Sequence, residues 1–177
     1  MVVWDELVRF RREAQWPAGC KVQIVEGLVV VEPPPDPAHS DTVDELQRLL
    51  YTVIPRDWGI YQGLELTLPG VCGLFVPDVS VGPKERRTRD VPRFVAEVTS
   101  WCGAHHDRVE KLHAYAATGV PLYLLLDPWH SGKPTATLYG EPEGGSYRVL
   151  EMVKYGDELR LPAPFDVTVD TSLFPVG

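Results

Sequence analysis

Two acidic residues stand among apolar runs, and that placement constrains the fold more than any other feature of the chain. Asp78 lies in F-V-P-D-V-S-V (75–81) and Glu97 in F-V-A-E-V-T-S (94–100). Leu74, Phe75, Val76, Val79 and Val81 form the first run, with Gly73 and Gly82 at its ends. Phe94, Val95, Ala96 and Val98 form the second, after Pro92. Short runs of β-branched and aromatic residues bounded by turn residues read as buried strands. A carboxylate among them is costly unless it is paired or holds a cation. One such acid is explained by a strand end that meets solvent or an arginine. Two, followed by the charged helical segment D-R-V-E-K-L-H-A-Y-A (107–116), point to a built site. Carboxylates from neighbouring strands, with Lys111 close by, make a seat for a hard divalent cation against a phosphate. The two carboxyl groups are therefore expected within about 6 Å of each other.

The remaining segments supply one domain, 1–177, around that pair. A helix is predicted from Trp4 to Ala14, then the hairpin K-V-Q-I-V-E-G-L-V-V-V turning at Glu26-Gly27. Pro33, Pro34, Pro35 and Pro37 interrupt the pattern. A second helix is expected to begin near His39-Ser40 or Asp41, capped by Ser40 or Asp41, and to reach about Val53. Its apolar stripe is Val43, Leu46, Leu49 and Leu50. Ile60 to Leu68 reads as a strand, Pro69-Gly70 as a turn, and Leu122 to Leu126 as a short buried strand. The last third reads as two or three antiparallel strands separated by Gly144-Gly145, Gly156-Asp157 and Pro162–Pro164. The fold class is α/β leaning to α+β, with a mixed central sheet flanked by helices.

Lys111 follows Asp107 by four residues, so the two share a helix face in the favourable order. The plain alternative is a surface salt bridge worth roughly 0.3–0.5 kcal/mol. Leu112, Tyr115 and Ala116 occupy much of the same surface, which puts Lys111 at the edge of the packed stripe. Cys102, His105, His106 and His113 crowd the start of this helix, but their spacing lacks the C-x-x-C or H-x-x-x-H pairs of a zinc site. Solvated helix-start residues account for them better.

No apolar run reaches the roughly 18 residues of a membrane span, and W-D-E-L-V-R-F-R-R-E (4–13) lacks a signal peptide's apolar core. Cys20, Cys72 and Cys102 make no disulfide framework, so a reduced, cytoplasmic setting is expected. The net charge of −8 argues against non-specific duplex binding, which needs basic surface. Cation-binding carboxylates add to that count, and a bound metal reverses the local sign. Lys84-Glu85-Arg86-Arg87-Thr88-Arg89 gathers basic side chains between the acid-bearing strands, as a backbone contact or a solvated hairpin.

The ordered set Pro77-Asp78, Glu97-Val98-Thr99-Ser100, Asp107, Lys111, Tyr115, Gly119-Val120-Pro121 and Asp127-Pro128 resembles the core of the PD-(D/E)XK nuclease superfamily. Within it, the chain is similar to the restriction-endonuclease family called Uma-two. I-V-E-G-L-V-V-V-E-P-P and His39 upstream, and G-D-E-L and the closing L-F downstream, carry the resemblance over nearly the whole chain. It implies a restriction-endonuclease-like fold. It also implies that Asp78, Glu97 and the Val98 carbonyl hold magnesium or manganese. His39, Ser100 and Asp107 are further candidates for the site. The usual signature places a lysine two residues after the glutamate, where this chain has Thr99. The resemblance implies that Lys111 takes over that role, orienting the attacking water and stabilising charge on the pentacovalent phosphate. Relatives usually read S-P-S-T where this chain has Ser100-Trp101-Cys102-Gly103.

The function expected is a metal-dependent endonuclease acting on phosphodiesters of nucleic acid, DNA in the first place, with a homodimer as the assembly to test. The alternative is a catalytically silent nuclease-fold module that binds a protein or nucleic acid. A weaker third reading is a small-molecule hydrolase using the same metal site.

Overall fold

The structure is a computed structural model and describes residues 4–85, 91–101 and 104–176. Helix α1 (Trp4–Glu13) precedes the hairpin of β1 (Lys21–Val25) and β2 (Leu28–Glu32). Glu26 and Gly27 join the two strands with φ of 50° and 78°, the left-handed pair that a two-residue type I′ turn requires. Arg11 ties α1 to the hairpin, its Nε donating to the Val22 carbonyl at 2.7 Å.

Helix α2 (Pro37–Tyr51) starts earlier than expected. Asp36, not Ser40 or Asp41, is its N-cap and accepts the His39 N–H at 2.8 Å. Pro37 occupies the first turn, where a missing N–H costs nothing. Treating Pro37 as a breaker hides its fitness as a helix starter. The expected stripe is kept: Val43, Leu46 and Leu50 are buried and Leu49 packs against them.

Next come β3 (Trp58–Tyr61), β4 (Leu66–Leu68), β5 (Gly73–Phe75) and β6 (Val79–Pro83). Two expected strands are each split. The run 60–68 becomes β3 and β4, parted near Gly63 at φ 67°. The run 74–81 becomes β5 and β6, parted at Val76-Pro77-Asp78, because Pro77 has no N–H with which to extend a ladder. Apolar residues continue through that break, so the pattern conceals that the halves join different sheets.

Strand β7 (Phe94–Val98), a π-turn at His106–Glu110, α3 (Lys111–Ala117) and β8 (Leu122–Asp127) follow. The chain then forms β9 (Thr135–Glu143), β10 (Ser146–Lys154), β11 (Glu158–Leu161) and β12 (Val167–Asp170). The last third therefore holds four strands rather than two or three, because each of the three expected turn clusters separates a pair.

The main sheet has the order β10-β9-β8-β7-β6-β3. Its β7 and β8 run parallel and its other neighbours antiparallel. A second sheet, β2-β1-β5-β4, is antiparallel, and β11 pairs with β12 as a ribbon. Alternation along β7 divides the core. Phe94, Ala96 and Val98 pack with Val43, Leu46 and Leu50 of α2 and with Leu159 and Leu161 of the ribbon. Val95 packs on the other side with Phe75 of the second sheet, Tyr115 of α3, and Tyr123 and Leu125 of β8. Glu97 shares the Val95 face, so its carboxylate enters the layer between the main sheet, the second sheet and α3. Among the described residues, no helix is long and apolar enough to cross a membrane.

Candidate active site

Asp78 sits where the chain crosses from the second sheet to the main one. Gln23 of β1 holds that crossing by accepting the Val76 N–H at 2.8 Å. Strands β6 and β7 pair Val79 with Ala96 and Val81 with Phe94. Asp78 is the residue just before β6, and Glu97 lies one residue beyond Ala96, the partner of Val79. The two acids are 8% and 1% exposed. The Val98 N–H donates to Asp78 Oδ2 at 2.8 Å. In a ladder the N–H and C=O of one residue project to the same edge, so the Val98 carbonyl also faces the crossing.

The four carboxylate oxygens divide into two kinds. Asp78 Oδ2 takes the Val98 N–H and lies 3.0 Å from His39 Nε2, presented by the first turn of α2. Glu97 Oε1 accepts the Tyr115 hydroxyl at 2.7 Å and lies 3.2 Å from Lys111 Nζ. The other two oxygens turn toward a single ammonium: Lys21 Nζ is 2.5 Å from Asp78 Oδ1 and 3.9 Å from Glu97 Oε2. Lys111, 1% exposed, also lies 2.7 Å from Asp107 Oδ1. The Asp107–Lys111 pair is thus buried rather than the surface bridge that the helix pattern allowed. The π-turn and α3 direct both side chains under the second sheet, where Tyr123 also donates to the Asp107 carbonyl at 2.9 Å.

Burial alone would raise the Asp78 carboxyl, but the Lys21 charge and the His39 hydrogen bond hold it well below the usual carboxylate range. Burial pushes the Glu97 carboxyl up to about 8; Lys111 and Lys21 oppose that shift, and Asp78 and Asp107 add to it. Burial would lower the Lys111 ammonium, yet Asp107 and Glu97 outweigh it and raise it well above its ordinary value. Neighbouring carboxyls driven in opposite directions are characteristic of functional sites.

A cavity of about 200 Å³ opens onto these groups, and Ser100, Trp101 and the Pro33–Pro35 segment also line it. Glu32, at the end of β2, lines it too, and its buried Oε1 has no hydrogen-bond partner among the described residues. Thr99, in the position of the signature lysine, donates instead to Asp127 Oδ1 at 2.9 Å. Asp127 also receives Arg108 at 2.6 and 2.9 Å and the Trp129 N–H at 3.1 Å.

The remaining candidates lie apart from the acid pair or outside the described residues. His105 and His106 each approach Glu110 at 3.3 Å, and His113 Nδ1 lies 2.7 Å from the Gly145 carbonyl. Cys102 is outside the described residues, as are Arg86, Arg87, Thr88 and Arg89 of the basic loop. Lys84 of that loop donates to the Arg56 carbonyl at 2.7 Å.

Sequence reasoning missed Lys21 and Glu32. K-V-Q-I-V has the alternation of any half-exposed strand, and only the pairing of β1 with β5, through Ile24 and Leu74, brings its polar face to the crossing.

A family model described as "Putative restriction endonuclease" (Uma2) matches residues 4–173. In structure the chain is similar to a "putative nuclease belonging to DUF820 from Anabaena variabilis ATCC 29413". The two share 19% identity over 98% of each chain, with a TM-score of 0.74. No curated protein matches the chain in sequence. The structural match shows a common fold over nearly the whole chain, in accord with the restriction-endonuclease-like architecture expected from the sequence.

Proposed function

Because this chain belongs to the Uma2 family of putative restriction endonucleases, we propose that it is a metal-dependent endonuclease whose Asp78 and Glu97 hold the cation. Magnesium is the metal proposed, with manganese as its substitute, and DNA is the substrate. The observation that carries this reading is the convergence of Asp78 Oδ1 and Glu97 Oε2 on one ammonium, that of Lys21. A positive charge already lies between two hard oxygen donors, and the donor set fits magnesium or manganese better than a softer metal. The Val98 carbonyl and Glu32 Oε1, which has no hydrogen-bond partner among the described residues, would add oxygen donors nearby.

Among the described residues no three His, Cys, Asp or Glu side chains gather as a metal-ligand cluster. The two carboxylates would therefore share the cation with the Val98 carbonyl, water and phosphate oxygens, as magnesium sites commonly do. A cation bound there would polarise the phosphate and supply an activated water for in-line displacement.

The chain's own residues set up that chemistry. Val98 N–H and His39 orient Asp78, while Tyr115 and Lys111 orient Glu97. Lys111 lies on the cavity wall and directs its charge toward developing negative charge on the phosphate. The Lys21 side chain is 22% exposed and can swing into the cavity when its place is taken. A homodimer would carry two copies of this site and could cut both strands of a duplex in one encounter, whereas a monomer would cut one strand at a time.

One observation favours the silent-module reading: Thr99 is engaged with Asp127 and supplies no charge to the acids. Incubating plasmid and single-stranded DNA with the protein in magnesium, manganese or EDTA separates the two. Cleavage with either metal and none in EDTA is expected. Binding without cleavage in all three conditions would leave the module.

A further inference from the structure

A nuclease must draw its affinity for nucleic acid from somewhere, and among the described residues the lysines that line this cavity are already paired with carboxylates. Lys21 and Lys111 are paired with Asp78, Glu97 and Asp107, Arg108 is held by Asp127, and the chain carries a net charge of −8. Tracking a duplex by phosphate contacts is therefore poorly supplied. The acid pair also lines a cavity of about 200 Å³.

The wall of the same cavity carries Trp101, which is 76% exposed. A tryptophan so open to solvent contributes little to the fold. Its ring meets that of Trp129 edge to face, with centroids 5.4 Å apart and planes at 83°. The two stems hang from one carboxylate: Thr99, two residues before Trp101, and the Trp129 N–H both donate to Asp127 Oδ1. The contact with Trp129 supports one edge of the ring and leaves most of it open to a ligand, so ordering it on binding costs less than for an unsupported side chain. Every nucleobase offers a π-face to such a ring, provided it is not already stacked and paired in a duplex.

We propose that Trp101, braced by Trp129, is a stacking platform for an unpaired base beside the scissile phosphate, which makes single-stranded DNA the substrate class of this site. The proposal rests on the nuclease reading above and specifies its substrate.

Fluorescence anisotropy with a short labelled oligothymidylate, and with its duplex on oligodeoxyadenylate, tests it in calcium, which binds hard oxygen sites. The single strand should bind more tightly than the duplex. Trp101→Ala should lose roughly tenfold or more in affinity for the single strand, Trp101→Phe should keep most of it, and both should melt with wild type. In magnesium, Trp101→Ala should raise KM with little change in kcat. Unchanged single-strand affinity in a folded Trp101→Ala, or tighter binding of the duplex, would overturn the platform while leaving the nuclease intact. A wild type that neither binds nor cuts any DNA would overturn both.

Discussion

Two lysines meet the acid pair, and they differ in how far each can move. Lys111 is enclosed between Glu97 and Asp107, with both carboxylates depending on it. Lys111→Met should therefore destabilise the protein by about 3 kcal/mol in urea denaturation, since it leaves the buried Asp107 carboxylate without its ammonium. The surface bridge allowed by the helix pattern would have cost a few tenths. Lys21 keeps a path to solvent and occupies the space between Asp78 and Glu97. Lys21→Met should tighten manganese binding by about tenfold or more, read by calorimetry, because the cation no longer displaces an ammonium. Equal affinity in the variant and wild type would place the cation elsewhere. Asp78 and Glu97 stood out in the sequence because a carboxylate within an apolar run breaks a local rule, whereas Lys111, at the edge of its helix stripe, was singled out chiefly by the family resemblance. Lys21 breaks none. Its role exists only once β1 lies beside β5.

Among the elements, the ends of β7 and β8 and the π-turn are joined by Asp127 through Thr99, Trp129 and Arg108. Burial would raise this carboxyl, but the hydrogen bonds from Arg108 and Thr99 hold it below its usual range. A carboxyl whose folded pKa is depressed adds stability that is present above its unfolded pKa of about 3.9 and is lost as pH falls through the folded value. Asp127→Asn should cost about 2 kcal/mol at neutral pH, a figure kept modest because the Arg108 side chain is 35% exposed. The gap from wild type should close below about pH 4. A difference that stays constant with pH would show that the charge on Asp127 contributes nothing. Local chemistry made other features readable at this scale. Glu26-Gly27 and the three C-terminal turn clusters mark their turns directly, and the α2 stripe marks its face. The split at Pro77 was hidden, because residues on both sides are apolar whether they form one strand or two.

For the whole molecule, the mixed sheet with flanking helices followed from the pattern of elements, whereas the strand order did not. Nothing local in Gly73–Phe75 or Val79–Pro83 says that one pairs with β1 and the other with β7. That division turns the chain at Asp78, so that its carboxylate and that of Glu97 both approach Lys21. On the proposed function this junction is a cation seat for phosphodiester hydrolysis. Its most direct test is the rate of single-stranded DNA cleavage as manganese is raised, for wild type and Asp78→Asn side by side. Wild type should not cleave in EDTA, its rate should rise and saturate with manganese, and Asp78→Asn should be at least about a hundredfold slower. Cleavage that persists in EDTA, or an Asp78→Asn curve that overlays the wild type, would contradict that function.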